Sequence, residues 1–312
     1  MKIGFIGLRV IGKPIALILA RHFPITAWNR SPSKYAALEE AGVRVGTSPS
    51  HVVGESDIVF TMLFDVSAFE PILDDDFSKA LRGKVLINTS SVPVNFSKKL
   101  AGFVHNASRD FVEMPVSSSK VPAEQGKLVS MIAGDRDAAK RIRPLVEPLT
   151  TAAVYYGPVG SGLKMKYAIN LYLVAIAAEL SESMNLAHAQ GLDLEAFAQV
   201  LSAGPITSPY SSIKVPKMLK EDWSPQASVK DCYNSTLLIQ SAAQSASAWS
   251  PITQLCVSLY KQAQESGLGE EDMTAIVKLS SKDRAPYPLQ GQASCGISLK
   301  GTALYALWIG RV

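Results

Sequence analysis

The sequence predicts an α/β protein in which a doubly wound parallel sheet is followed by an all-helical C-terminal domain. Short apolar runs alternate with helical or polar segments through about the first 150 residues, as expected of strands joined by crossover helices. A glycine-rich turn separates the first apolar run from the first helical one. Beyond residue 162 the apolar residues recur with helical spacing, and few strand-like runs remain.

Five short apolar runs predict the strands of the sheet. Each is only a few residues long and is bounded by helical or polar sequence. Because helical segments separate them, consecutive strands are expected to run parallel. The predicted strands lie within Lys2–Gly7, Ile25–Trp28, Asp57–Met62, Val85–Asn88 and Phe111–Glu113.

The second half begins at a glycine-rich segment, Gly157–Gly162, and continues as one long helical period over about Leu163–Gln190. We therefore place a domain boundary at residue 162, which divides the chain into domains 1–162 and 163–283. Residues 284–312 differ from the rest, because prolines and glycines interrupt any period before an apolar end. This atypical tail is either a non-native extension or a segment docked on the protein.

The turn after the first run has the position of a dinucleotide-binding fingerprint. Such a fingerprint requires Gly-x-Gly-x-x-Gly, so that the chain turns tightly, approaches a pyrophosphate and packs against the sheet. Gly7 and Gly12 occupy the first and third glycine positions, whereas Arg9 occupies the second. The Arg9 side chain would either hinder the phosphates or fold out and neutralise them. The predicted cofactor contacts are Gly7, Leu8, Arg9, Val10, Ile11 and Gly12, joined by Met62 and Leu63 at the end of a later strand.

The end of the second predicted strand indicates which dinucleotide binds. About 20 residues after the glycine turn, an acidic residue would bind the ribose 2′-hydroxyl of NAD. Here the sequence reads Trp-Asn-Arg-Ser, without an acid. Guanidinium and hydroxyl donors match the oxygens of a 2′-phosphate, so the sequence predicts NADP (NADPH) as the cofactor. The predicted contacts are Asn29, Arg30, Ser31 and Lys34.

The start of the long helix carries a candidate catalytic lysine. Lys166 and Asn170 are four residues apart and therefore share one helix face. The lysine follows a Gly-Ser-Gly turn, lies between Met165 and Tyr167, and precedes an apolar stretch. An ammonium group in a partly desolvated cleft can donate a proton to a carbonyl oxygen as hydride arrives, or stabilise the charge that develops there.

The composition argues against several other classes of protein. Of the 312 residues, 47% are hydrophobic and 19% are charged, which is a globular composition. The net charge of +4 is not clustered into a basic stripe, which argues against a nucleic-acid or membrane partner. Three widely spaced cysteines, unclustered metal-ligand residues and a start without leader features predict a metal-free protein of the cytoplasm.

Five motifs follow one another along residues 1–283. They are Gly4–Leu8 with Gly12–Pro14, Asn88–Pro93, Phe111–Ser117, Gly160–Gly162 with Lys166 and Asn170, and Lys230–Asp231 preceded by Trp223. Together they resemble the β-hydroxyacid dehydrogenase family. Within it, the segment Ser117–Leu128 resembles the glyoxylate/succinic semialdehyde reductase branch. The resemblance implies a Rossmann-type domain and a helical domain that forms a homodimer or homotetramer. It also implies NADPH-dependent reduction of a small aldehyde or keto acid to the hydroxy acid.

The resemblance further implies roles for single residues. It makes Lys166 the general acid, while Asn170 orients the substrate and Asp231 positions the substrate or the lysine. It places a serine-rich loop on the substrate carboxylate, a further serine beside nicotinamide and substrate, and a tryptophan over the pocket. These residues are, in the same order, Ser117, Ser118 and Ser119, then Ser91, then Trp223.

Three departures from the family pattern keep other functions open. Arg9 replaces a fingerprint glycine, Ser118 replaces a glycine of the substrate loop, and Trp223 stands where the branch has phenylalanine. An imine reductase shares the architecture but generally lacks the lysine, so Lys166 argues against this alternative. A catalytically weak NADP-binding paralogue is the other alternative, and it is motivated by Arg9 and Ser118.

Overall fold

The computed structural model describes residues 1–107, 110–117 and 120–279, in which nine strands form one mixed sheet. The strands are β1 (Ile3–Ile6), β2 (Ile25–Trp28), β3 (Arg44–Val45), β4 (Ile58–Thr61), β5 (Val85–Asn88), β6 (Asp110–Glu113), β7 (Val116–Ser117), β8 (Leu128–Gly134) and β9 (Thr150–Tyr155). Their order across the sheet is β3-β2-β1-β4-β5-β6-β8-β7, with β9 beside β8.

The first six strands confirm the predicted parallel sheet. β1 pairs in parallel with β2 and β4, and parallel pairing continues from β2 to β3 and from β4 through β5 to β6. The strand order therefore reverses at β1. Ligands of such sheets bind beyond the carboxyl ends of the strands where the order reverses. This topology places a binding site beyond Ile6 and Thr61, which are paired in register at those ends.

The far end of the sheet is not parallel, which the sequence did not predict. β8 runs antiparallel to both β6 and β7, and β9 then pairs in parallel with β8. β3 and β7 have two residues each, too few to leave an apolar pattern. Five of the six residues of β9 are exposed, so this strand has no buried run to detect.

Helices pack against the sheet and make up most of the second half of the described chain. No helix within residues 1–107, 110–117 and 120–279 is both long and apolar enough to span a lipid bilayer. The helices are α1 (Gly12–Ala20), α2 (Ala36–Glu40), α3 (Pro49–Gly54), α4 (Asp75–Ala80), α5 (Val94–Asn106), α6 (Lys120–Glu124), α7 (Arg136–Arg141), α8 (Arg143–Val146), α9 (Ser161–Ala189), α10 (Leu194–Ala203), α11 (Pro209–Leu219), α12 (Val229–Ser245) and α13 (Pro251–Ala263). Short 3-10 turns lie at Pro32–Lys34, Val66–Ala68, Glu70–Ile72, Glu147–Leu149 and Met273–Lys278, and a π turn lies at Gln264–Leu268.

Two apolar cores lie on opposite faces of the sheet, because alternate strand residues point to opposite sides. Phe5 belongs to one core together with Leu19 of α1, whereas Ile6 belongs to the other. The second core continues into the helical half, where Tyr167 of α9 and Tyr260 of α13 are buried. The start of α9 is thus packed into a core that it shares with the sheet.

The long helix α9 agrees with its predicted extent to within two residues at each end. The proposed domain boundary at residue 162 falls in its first turn and stays a prediction. The tail 284–312 lies outside the described residues.

Candidate active site

A cleft opens beyond the carboxyl ends of the parallel strands, between the sheet and helices α9 and α12. It brings together ten of the twenty residues that the sequence predicted for cofactor binding, substrate binding and catalysis. The sheet side contributes Arg9, Val10, Ile11, Met62, Leu63, Phe64, Ser91, Val116 and Ser117. The helical side contributes Lys166, Asn170, Leu173, Val174, Gln226, Ala227, Asp231, Cys232, Asn234 and Ser235.

Two glycines of the turn after β1 are required by close backbone contacts. Gly7 has φ 101°, and a Cβ atom added to it would lie 2.2 Å from the carbonyl oxygen of Met62. A Cβ atom on Gly12 would lie 2.1 Å from the carbonyl oxygen of Gly7. Any larger residue would therefore push the turn away from α1 and from the end of β4.

The turn presents the N-terminus of α1 to the cleft. The residue before this helix is Ile11, which makes no side-chain hydrogen bond to the first turn. Unpaired N–H groups and the helix dipole make such a terminus suitable for a phosphate group. The turn and helix thus fit the pyrophosphate of a dinucleotide.

Asn29, at the end of β2, holds the glycine turn from the side. Its Oδ1 accepts a hydrogen bond from the backbone N–H of Leu8 at 3.0 Å, and its Nδ2 donates to the carbonyl oxygen of Ser31 at 3.0 Å. The Tyr35 hydroxyl donates to the Asn29 carbonyl at 2.7 Å. The amide of Asn29 is thus engaged within the protein, whereas Arg30 and Ser31 are exposed. Lys34 ends a short 3-10 turn just beyond them.

The guanidinium group of Arg9 lies over an aromatic ring. Its guanidinium carbon is 4.5 Å from the centroid of the Phe64 ring, within the range of a cation–π contact. The Nζ of Lys230, from α12, lies 5.6 Å from the same ring. Arg9 itself is exposed. The Phe64 ring thus contacts one cation from the glycine turn and another from the helical half.

Lys166 projects from α9 into the cleft and is buried. Only 7% of the residue is exposed, and its Nζ donates a hydrogen bond to the Oγ of Ser91 at 2.5 Å. Burial lowers the pKa of Lys166 from 10.5 to about 8, because desolvation disfavours the charged form. The nearby Asp231 carboxylate acts in the opposite direction and raises it. The lysine can therefore exchange a proton near neutral pH.

Asn170 and Asp231 line the same cleft from two helices. One turn beyond Lys166, Asn170 donates from its Nδ2 to the Oγ of Ser235 on α12 at 2.9 Å. Asp231 is in the first turn of α12, where its Oδ2 accepts from the Ser228 hydroxyl at 2.7 Å in a capping box. The carboxylate of Asp231 thus caps its own helix, and its charge raises the pKa of Lys166.

The serine-rich loop and Trp223 have different positions. Ser117 ends β7 and lines the cleft, whereas Ser118 and Ser119 lie outside the described residues. Trp223 is absent from the described lining of the cleft. The Nζ of Lys278 lies 4.6 Å from the centroid of the Trp223 ring. Trp223 also packs against the apolar cores of the helical half.

Nine residues of the described cleft lining were not predicted from the sequence, among them Phe64, Gln226, Asn234 and Ser235. Phe64 directly follows Met62 and Leu63, so its place after a parallel strand was the available signal. Asn234 and Ser235 lie three and four residues beyond Asp231, so helical spacing alone places them on the same face of α12. Gln226 lies in the loop before α12, and nothing in the sequence marks it.

Known proteins resemble this chain along almost all of its described length. Residues 2–157 match the NAD binding domain of 6-phosphogluconate dehydrogenase, and residues 160–280 match a model described as NAD-binding of NADP-dependent 3-hydroxyisobutyrate dehydrogenase. Glyoxylate/succinic semialdehyde reductase 2, chloroplastic, from Arabidopsis thaliana is 31% identical over 89% of this chain and 79% of its own length. Glyoxylate/succinic semialdehyde reductase 1 from the same plant is 30% identical over 89% of this chain and 98% of its own length.

A solved structure shows the same fold. The crystal structure of 3-hydroxyisobutyrate dehydrogenase from Salmonella typhimurium aligns with a TM-score of 0.83 at 20% identity, over 90% of this chain and 100% of that one. Dehydrogenases that use a nicotinamide dinucleotide are the class that this fold and cleft define. The chain belongs to the β-hydroxyacid dehydrogenase family, and it is an NAD(P)-dependent oxidoreductase that acts on CH–OH or C=O groups.

Metal-ligating residues are not gathered in the described part of the chain. Within it, no group of three or more histidine, cysteine, aspartate or glutamate side chains is arranged to hold a metal ion.

Proposed function

We propose that the protein reduces a small aldehyde or keto acid, of the glyoxylate or succinic semialdehyde type, to the hydroxy acid with NADPH. The observation that carries this proposal is the buried Lys166 ammonium, which lies in the cleft next to the glycine turn and donates to Ser91. The two Arabidopsis reductases provide the substrate class, because they match nearly the whole described chain.

Lys166 is proposed as the general acid of the reaction. When bound, NADPH supplies the hydride that adds to the carbonyl carbon. The oxygen of that carbonyl gains negative charge as its double bond opens, and the Lys166 ammonium donates the proton that makes it a hydroxyl. The lysine is left neutral and recovers a proton from solvent. A pKa of about 8 suits this role, because both forms of the lysine are accessible near neutral pH.

Other cleft residues are proposed to hold the substrate. Ser117, with Ser118 and Ser119, would bind the carboxylate through hydroxyl and backbone N–H groups. Asn170 would orient the substrate, and its bond to Ser235 fixes the direction of its amide. Ser91 would lie beside nicotinamide and substrate, while Asp231 would position the substrate or Lys166. A cover over the pocket from Trp223 is implied only by the family resemblance.

NADP rather than NAD is proposed as the cofactor. The end of β2 has no acidic residue for a ribose 2′-hydroxyl, and Arg30 and Ser31 are exposed there. Both side chains can donate hydrogen bonds to the oxygens of a 2′-phosphate. Lys34 is proposed as a third contact.

We also propose that the protein is a homodimer or homotetramer in the cytoplasm, without nucleic-acid or membrane partners. Large apolar side chains on the helical half support the oligomer. Tyr172 and Leu186 of α9 are 69% and 58% exposed, and Ile252 of α13 is 55% exposed. Leu186 and Ile252 line one surface groove. Exposed apolar patches of this kind mark contacts with other subunits.

A turnover assay tests the proposed function. Purified protein is mixed with NADPH and glyoxylate, succinic semialdehyde or a larger aldehyde, and NADPH oxidation is followed by absorbance while the product is identified by mass spectrometry. We expect a hydroxy acid to form in proportion to the NADPH consumed. NADPH binding without turnover of any carbonyl would contradict the proposal.

That last outcome would favour a second candidate, a cofactor-binding paralogue of low activity. The observation that supports it is Arg9, an exposed arginine at a position where the fingerprint has glycine. Failure of NADPH to bind at all would point to Arg9 as the cause.

A further inference from the structure

The helix that carries Lys166 does not cap its own N-terminus. The residue before α9 is Gly160, whose φ is 99° and which has no side chain to satisfy the first N–H groups. The first turn of any helix has N–H groups without partners inside the helix, and a serine or aspartate before it usually accepts from them. Here an acceptor must come from elsewhere.

The acceptor is the carboxylate of Glu113, the last residue of β6. One oxygen, Oε2, accepts from the backbone N–H of Gly160 at 3.0 Å and from the Ser97 hydroxyl at 2.5 Å. The other oxygen, Oε1, accepts from the N–H of Leu163 at 3.0 Å. Glu113 has no exposed surface. The carboxylate therefore bridges three elements, namely β6, α5 and α9.

The contact between Glu113 and α9 leaves no spare space. A Cβ atom added to Gly162 would lie 2.4 Å from the carbonyl oxygen of Met131 and 3.1 Å from the Oε1 of Glu113. The first turn of α9 is thus clamped between β8 and the carboxylate. Burial raises the pKa of Glu113, whereas its hydrogen bonds with Ser97 and the α9 amides lower it.

We propose that Glu113 is a positioning residue for Lys166: by capping α9 from the sheet, it fixes where the lysine meets Ser91. A serine or aspartate at position 160 could accept from the N–H of Leu163, but it would leave the N–H of residue 160 without this acceptor and would not tie the helix to β6. Lys166 lies three residues beyond Leu163, less than one helical turn, so a shift of the first turn would also displace the Lys166 side chain.

A second attachment holds the same part of α9 against the loop after β5. The hydroxyl of Tyr167 donates to the carbonyl oxygen of Val92 at 2.5 Å, next to the Lys166 contact with Ser91. Both residues of α9 thus reach the same short loop after β5. The Glu113 cap and the Tyr167 hydrogen bond thus act together to set where Lys166 meets Ser91.

The inference rests on the proposed function of Lys166, so its test uses a readout that does not need turnover. Lys166 is acylated with an amine-reactive reagent over a range of pH, and its modification is quantified by peptide mass spectrometry. In the wild type we expect the reactivity midpoint at about pH 8. In Glu113→Ala the midpoint should rise toward 10.5, because a displaced Lys166 regains water.

Two further variants separate positioning from simple loss of stability. Glu113→Gln keeps one oxygen that can accept from an α9 N–H group, but it replaces the second oxygen with an NH₂ group that cannot. The Lys166 midpoint of this variant should therefore lie between those of wild type and Glu113→Ala. Glu195→Gln is the matched control, because it removes an exposed acid from the first turn of α10, away from the cleft. Its Lys166 midpoint should equal that of the wild type.

Activity is measured on the same proteins. If the wild type turns over, we expect kcat of Glu113→Ala to fall by about ten- to a hundredfold, the effect of a misplaced catalytic group, with NADPH affinity retained. A wild type without turnover would end the proposed function while the acylation test still stands. An unchanged Lys166 midpoint in both Glu113→Gln and Glu113→Ala, or in Glu113→Gln alone should the alanine variant not fold, would overturn the role of Glu113.

Discussion

Replacing Lys166 with methionine is expected to stabilise the fold at neutral pH. Burial lowers the pKa of Lys166 from 10.5 to about 8, while the charge of Asp231 only partly offsets this effect. Each unit between folded and unfolded pKa values corresponds to about 1.4 kcal/mol, so the charged lysine costs the fold on the order of 3 kcal/mol. Methionine is similar in length, flexible and uncharged, so it avoids this cost.

The dependence on pH has a definite sign. Between about pH 8 and pH 10.5 the unfolded chain holds the Lys166 proton and the folded chain does not, so wild-type stability rises with pH. Below this window the full cost of the buried charge is present. The free energy of unfolding of Lys166→Met should therefore exceed that of the wild type by less as the pH rises through the window, and the excess should fall by on the order of 3 kcal/mol.

Urea denaturation of both proteins across this pH range measures the difference between their free energies of unfolding. The contributions of the other titrating groups are the same in both proteins and cancel in this difference. Lys164→Met is the matched control, because Lys164 is exposed on the same helix. Its difference from wild type should not change with pH. An advantage of Lys166→Met that stays constant through the window would refute the reasoning, because Lys166 would then have an ordinary pKa in the folded protein.

Three further substitutions test the cofactor and substrate contacts. Arg30→Ala should raise the NADPH dissociation constant by about tenfold or more, the loss of a charged hydrogen bond, and should leave NADH binding unchanged; fluorescence titration with both cofactors checks this. Arg9→Ala should weaken NADPH binding more at low than at high salt if its guanidinium neutralises the phosphates, and tighter binding would show that it hinders them instead. Ser235→Ala should raise KM for the aldehyde acid by about two- to tenfold, because the Asn170 amide loses its partner, and an unchanged KM would contradict its orienting role.

The strands that the sequence predicted are mainly the buried ones. All four residues of β4 are buried, and three of them in succession, Ile58–Phe60, are apolar and easy to detect. β9 joins the same sheet with exposed residues at five of six positions, and its place depends on pairing with β8. The mixed end of the sheet thus depends on pairing between segments that are far apart in the sequence. The local spacing of apolar residues does not predict such pairing.

The same distinction applies to the site. Lys166 and Asn170 could be paired from spacing alone, because one helix carries both. The contact of Asn170 with Ser235 joins residues 65 apart, and the contact of Glu113 with Leu163 joins residues 50 apart. Trp223 was expected over the pocket, and this role stays a prediction. The Nζ of Lys278 lies 4.6 Å from the centroid of the Trp223 ring, and the Trp223 backbone carbonyl accepts from the N–H of Asp272.

The central claim is that Lys166 supplies the proton for carbonyl reduction, and one comparison tests it most directly. NADPH oxidation is measured for Lys166→Ala and Lys164→Ala with whichever of glyoxylate and succinic semialdehyde the wild type reduces faster. We predict that kcat of Lys166→Ala falls by about a hundredfold or more with NADPH affinity retained, while Lys164→Ala behaves as the wild type. A Lys166→Ala protein with wild-type kcat would contradict the account.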